Sequence, residues 1–318
     1  MLPLNDLDML DSLFLTRDLT VPADRADFFA RARRGEFTAL YRGVYVLTVT
    51  WSGLGPDAQY AFRVKAAVCA SRAPVVLSHE SAAVLWRLPI LGAWPERVHT
   101  VEDRVGHGRS TVMFERHAEG IPDSGEVIHG VRVTTLARTI VDIARRRPFD
   151  RAVTMIDAAL RRNEHPTVGV PRTSLSRSDL LAELEGFAVR QGTARARRAI
   201  EFADGRADRP GESMSRMSMH AARLPKPELQ VPLRGQSGAR YFGDFWWKDA
   251  NLVGEFDGAA KYEDPEFLRG RTPHQALLDE KRREDDIRAA GFRLTRWGWE
   301  VAISPSRLRA HLVAAGLR

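Results

Sequence analysis

The sequence predicts an α+β multidomain protein, and three observations carry that reading. The chain has 318 residues, room for two or three domains at roughly 100–200 residues each. Hydrophobic residues make up 44% and charged residues 28%, the balance of chains that bury cores rather than stay disordered. Short β runs and helical patterns follow one another along the whole length, with no internal repeat and no low-complexity tract. No stretch approaches the roughly 18 apolar residues of a membrane-spanning helix, so no membrane partner is expected. Met1 to Asp11 carries four Asp or Asn and no Lys or Arg, unlike a secretory leader. Cys69 is the single cysteine, which excludes an internal disulfide framework and a Cys-x-x-Cys zinc site. A reducing cytoplasm is the expected location.

Residues 1–50 read as a small winged helix-turn-helix. Ala23 to Ala32 has apolar residues at helical spacing, and Gly35 closes the helix. Phe37–Tyr41 and Val44–Leu47 are two short β runs joined at Arg42-Gly43, a hairpin in the position of a wing. Arg31, Arg33, Arg34 and Arg42 gather at the helix end and the wing, where such a module meets phosphate. The segment as a whole is not basic, with six Arg against seven Asp or Glu. DNA contact therefore rests on the local cluster, and a protein-binding role stays open.

Residues 51–163 read as a mixed α/β middle domain. Gln59 to Ser71 is an amphipathic helix, and Ser78 is placed to cap a helix over His79 to Trp86. Val98–Val101, Thr111–Phe114 and Ile128–Val133 are β runs, the last with a turn at Gly130. Thr134-Thr135 caps a helix over Leu136–Arg146, and another spans Asp150–Arg161. Eight Arg face three Asp from Arg132 to Arg162, a phosphate-facing stripe or a solvated face. The stretches LYRGVYVL, LSHESAAVLWRLP and HGVRVTTLARTIVDIARRRP resemble actinobacterial proteins with an AbiEi-type antitoxin N-terminal region. The resemblance covers roughly the first half. It implies a place in type IV toxin–antitoxin or phage-defence systems, promoter DNA as ligand, and a cognate toxin as partner. No catalytic residue transfers with it.

Residues 164–209 read as a linker followed by a helical run from Asp179 to Phe202. In residues 210–318 the order is a helix from Glu212, strands over Glu228–Leu233, Arg240–Trp247 and Leu252–Phe256, a charged helix over Gln275–Ala290, a strand over Phe292–Trp297 and a last helix. Glu255 and Asp257 lie two apart, so they share a strand face, and a hairpin brings Asp244 opposite them. Apolar strands that place three carboxylates together point to a metal pocket, because an unpaired buried charge is costly. Mg²⁺ takes hard oxygen ligands and serves phosphodiester hydrolysis by activating water and stabilising the transition state.

This succession resembles the αβββαβ core of restriction-endonuclease-like PD-(D/E)XK nucleases. Within that class, YFGDFWWKDANLVGEFDGAAKY and DEKRREDDIRAAGFRLTRWGWE are similar to the domain related to very-short-patch repair endonucleases. The resemblance covers about residues 211–300. It implies a Mg²⁺- or Mn²⁺-dependent endonuclease with Asp244 and Glu255 as main metal ligands and Asp257 as a further one. Glu212 matches an accessory carboxylate, Lys261 would orient water, and Lys281, Arg282 and Arg283 would hold phosphate. The usual Glu-x-Lys is here Glu255-Phe256-Asp257, with Lys261 four residues later, which puts cleavage in question more than fold. Plainer readings stay open: a strand-ending turn for Asp257-Gly258, a helix-start preference for Glu212, and a solvated face for Lys281, Arg282 and Arg283. The expected function is a DNA-binding protein with a Mg²⁺-dependent endonuclease-like domain, RNA being an alternative target. The rival expectation is an inactive antitoxin or regulator that only binds DNA or a partner.

Overall fold

The computed structural model describes residues 12–102, 110–120, 125–187, 190–258 and 272–318; Lys261 lies outside the described residues. Among those residues the protein is mixed α/β, with twelve helices and three sheets. They group into two units, one ending at Ala203 and one running from Asp204 to Arg318.

The first unit opens with β1 (Phe14–Leu15), α1 (Pro22–Arg33), β2 (Phe37–Tyr41) and β3 (Val44–Leu47), the strands in the order β1-β3-β2. Pro22 starts α1, where its missing N–H costs nothing. Phe28 packs α1 onto the sheet, its ring 4.6 Å from Phe37 and 5.2 Å from Tyr45. The arginines expected to meet phosphate divide into two kinds. Arg31 and Arg34 both donate to the carboxylate of Glu36, at 2.8 and 2.9 Å. Arg33 and Arg42 are exposed.

Next come α2 (Thr48–Gly53), α3 (Pro56–Ala70), β4 (Val76–Leu77), α4 (His79–Leu85), β5 (Val98–Val101), β6 (Phe114–His117), β7 (Gly125–Ile128) and β8 (Val131–Thr134). Four helices follow: α5 (Leu136–Arg146), α6 (Phe149–Arg161), α7 (Arg177–Glu185) and α8 (Thr193–Phe202). The five-stranded sheet has the order β6-β5-β4-β8-β7. Instead of a one-sided apolar stripe, α3 buries Ala58, Tyr60, Ala61, Phe62, Val64, Ala66 and Ala67, so it is a core helix rather than a surface one. Thr135 caps α5 as expected, accepting from the Arg138 N–H. Ser78 does not cap α4; its Oγ lies 3.0 Å from His79 Nδ1 instead. The expected strand Thr111–Phe114 lies later, at Phe114–His117, because Thr111 Oγ1 accepts from the Phe114 N–H and holds a turn there. The helical run expected over Asp179–Phe202 is two helices. At Gly192 the backbone has φ +80°, and a Cβ would stand 2.1 Å from the Arg145 carbonyl oxygen, so only glycine lets α5 pass.

The second unit contains α9 (Pro210–Ala221), β9 (Glu228–Arg234), β10 (Arg240–Trp247), β11 (Leu252–Phe256), α10 (Pro273–Ala289), β12 (Arg293–Trp297), α11 (Trp299–Ala302) and α12 (Pro305–Ala314). The sheet order is β12-β11-β10-β9, with β12 parallel to β11 and the other pairs antiparallel. One face buries Phe245, Trp247, Leu252, Phe256 and Trp297 against Met219 of α9, Ala302 of α11 and Leu308 and Leu312 of α12. The other buries Leu233, Val253 and Leu294 against Ile287 of α10.

The alternation of faces along β9 and β10 breaks at one place. Val231 packs with Leu233 on the α10 side, while Leu229, two residues away, packs on the α9 side. Between them Gln230 has φ +50°, a left-handed turn of the backbone that reverses which face the next side chain meets. The paired strand does the same. A Cβ on Gly243 would meet Leu233 and Val253, whereas Phe245 belongs to the α9 side. Gln230 and Asp244 sit at this reversal.

Candidate functional site

Glu212 stands in the first turn of α9 and is 4% exposed. Its Oε2 accepts from the Asp208 N–H at 2.9 Å and from Gln230 Nε2 at 3.1 Å. The same Gln230 amide donates to Asp244 Oδ1 at 3.2 Å, and Asp244 Oδ2 accepts from the Phe256 N–H at 3.0 Å. One side-chain amide thus bridges two carboxylates. Burial, with the Asp244 charge next in weight, pushes the Glu212 carboxyl up to about 8.

Glu255 is the next-to-last residue of β11, one step beyond the Phe245–Gly254 pairing that sets Asp244 beside it. Arg283 of α10 holds it with both arms: Nη2 donates to Oε1 at 2.6 Å and Nη1 to Oε2 at 3.0 Å. Nη2 also donates to the Phe242 carbonyl at 2.8 Å. Arg296 faces Glu255 across the parallel β11–β12 pair, its Nε 3.0 Å from Oε2, and its Nη2 is 2.7 Å from Glu280 Oε1. Arg283 is therefore not a phosphate grip on the surface but the counter-charge of a buried carboxylate. Lys281 and Arg282, its neighbours, are exposed, and Arg282 is 3.7 Å from Asp279. Asp257 follows β11, half-buried, with its N–H donating to the Trp297 carbonyl at 2.9 Å.

The structure thus brings Glu212, Asp244 and Glu255 to one end of the sheet but does not close them into a single notch. Among the described residues, the three-membered group of His, Cys, Asp or Glu with ligand atoms all within 4.8 Å of one another consists of histidines of the first unit. Mg²⁺ binds through one or two carboxylates, with water and substrate phosphate completing the shell. Glu212 and Asp244 fit that demand, being two hard-oxygen acids held side by side with like charge. Glu255 does not fit it as it stands, since guanidinium groups take both its oxygens. Sequence reasoning missed Gln230 and Arg296. Only the β11–β12 register, which sets Glu255 opposite Arg296, and the backbone reversal at Gln230 reveal them.

No protein-family model matches the chain. It is 36% identical over 146 residues to the uncharacterized proteins MT2308 and Rv2248 of two Mycobacterium tuberculosis strains, which covers 46% of this chain and 50% of each relative. The chain spans about half the length of the curated relatives it matches.

Proposed function

We propose that this protein is a DNA-binding protein whose second unit is a PD-(D/E)XK-type, Mg²⁺-dependent phosphodiesterase, with Glu212 and Asp244 as the cation-holding pair. The observation that carries this reading is the Gln230 bridge: two acids share one amide, and the more buried of them is driven up to about 8. Natural proteins retain that tension where function needs it. The order of α9, three strands, α10 and β12, with a parallel final pair, supports the same reading. A bound Mg²⁺ would supply charge for the transition state and acidity for the attacking water. Gln230 would orient the pair, and Lys281 and Arg282, exposed on α10, would attract the phosphate backbone. In the first unit, α1 and the β2–β3 hairpin would act as the winged helix, with Arg33 and Arg42 as its phosphate contacts. A cognate toxin and a phage-defence role belong to the same proposal.

The arginine clamp on Glu255 favours a second reading, an inactive nuclease fold that binds nucleic acid or a partner without cutting. Nicking of supercoiled plasmid with Mg²⁺ or Mn²⁺ separates the two, with single-stranded RNA as a parallel substrate. Cleavage is expected to fall at least about 100-fold in Asp244→Asn and in Glu212→Gln, with circular dichroism unchanged. If the wild type cuts neither substrate with either ion yet still shifts DNA in a gel, the binding-only reading holds.

A further inference from the structure

The first unit contains a cluster that the proposed function does not use. His79 opens α4, His99 lies in β5 and His117 ends β6. The parallel pairing of Val101 with His117 puts His99 and His117 on one sheet face, one step apart. Each histidine is 5% exposed or less. His99 Nδ1 and His117 Nε2 are 2.9 Å apart, and the rings of His79 and His117 stack at 3.9 Å. One ligand nitrogen from each lies within 4.8 Å of the other two.

The second nitrogens carry the argument further. Ser78 Oγ engages His79 Nδ1, which leaves His79 Nε2 buried with no hydrogen-bond partner. His99 Nε2 is likewise without a hydrogen bond, and Glu80 Oε2 stands 3.9 Å from it. Glu80 is itself held by Arg147. Buried polar nitrogens are rarely left unmatched. One nitrogen of each ring thus lies close to one of each other ring, while Ser78 engages His79 and Glu80 stands beside His99, the pattern in which outer polar partners fix metal-binding imidazoles. The backbone adds a second observation: His79 has φ +49° although it is a bulky, buried residue, and such strain collects at functional positions.

We infer that His79 Nε2, His99 Nδ1 and His117 Nε2 form a binding site for one divalent transition-metal ion of the Zn²⁺ class. Nitrogens at about 2.0–2.1 Å from a tetrahedral Zn²⁺ stand roughly 3.4 Å apart, inside the 2.9–4.8 Å range set by this cluster. Imidazole selects Zn²⁺, Cu²⁺, Ni²⁺ or Co²⁺ over Mg²⁺, so the site is chemically separate from the carboxylates of the second unit. A cavity of about 300 Å³ reaches His99 and His117 and is lined by Glu115, Glu119, Arg146 and Arg195 among others. An ion has a way in, and a water or an anion has room beside it.

The test uses the untagged full-length chain, stripped with EDTA and dialysed against Zn²⁺ or Co²⁺. One ion per chain is expected, with a tetrahedral Co²⁺ visible spectrum and a raised thermal midpoint. His117→Gln, chosen because glutamine keeps a polar contact to His99, and His99→Gln should each weaken Zn²⁺ binding at least about 100-fold, and Glu80→Gln about 10-fold. Cys69→Ser and Glu212→Gln should leave it unchanged. Circular dichroism identifies any variant that fails to fold, and the wild-type stoichiometry stands without it. A folded wild type that takes up no Zn²⁺, or uptake that survives both histidine substitutions, overturns the assignment.

Discussion

In the first unit three imidazoles are buried together; in the second, the buried Glu212 shares an amide with the half-buried Asp244, while Glu255 on the next strand is held by arginines. Burial acts on the two clusters in opposite ways. It pushes His99 and His117 down to about 3 and His79 well below its usual value, so the imidazoles stay neutral at neutral pH. It pushes Glu212 up, so the acid holds its proton until a cation is near. The difference teaches where each unit keeps its counter-charge. Around Glu255 the protein supplies two guanidinium groups of its own. Around Glu212 and Asp244 it supplies an amide and backbone N–H groups that orient the oxygens, and Asp244 also feels the Arg283 charge.

That contrast can be broken most strongly at the clamp. Arg283→Leu leaves a buried carboxylate with Arg296 as its remaining guanidinium and should cost about 3 kcal/mol in urea unfolding. Adding Glu255→Gln should return much of the loss, a coupling that a double-mutant cycle reads directly. A single-mutant cost near zero would mean that the clamp is not a stability element.

The next effect is pH dependence. In the unfolded chain Glu212 ionises near its ordinary 4.5, and in the folded protein near 8. Between these values the folded state keeps a proton that the unfolded state has released. Stability therefore falls as pH rises from about 4.5 to 8. Glu212→Gln should flatten that slope, and Mg²⁺ at pH 8 should raise the urea midpoint of the wild type but not of the variant.

The smallest effect sharpens the nucleic-acid reading. Arg33→Ala and Arg42→Ala should each lower the log–log salt slope of DNA binding by about 1. Arg31→Ala should leave it unchanged, because Glu36 already holds that guanidinium. Equal losses at all three positions would show that the pairing with Glu36 does not outlast DNA contact.

Much of this architecture was legible in the chain. The hairpin at Arg42-Gly43, the Thr135 cap, and the succession from α9 to β12 each rest on local signals: a turn glycine, a hydroxyl before a helix, a change of hydrophobic period. The acids of the second unit were legible as residue types for the same reason. Their surroundings were not, because Arg283 reaches Glu255 from 28 residues away and Arg296 meets it through a parallel pairing. The histidines come from three separate elements and carry no spacing motif. Ser78 read as a cap because its position permits one, yet the neighbouring imidazole competes for the same hydroxyl.

The backbone reversal at Gln230 has a consequence for how this sheet can change over time. Leu229 and Val231 are only two residues apart but belong to different cores, so a larger residue at one can be accommodated without any adjustment at the other. Deleting Gln230 would instead remove the amide that joins the two acids and slip β9 by one residue against its β10 partners.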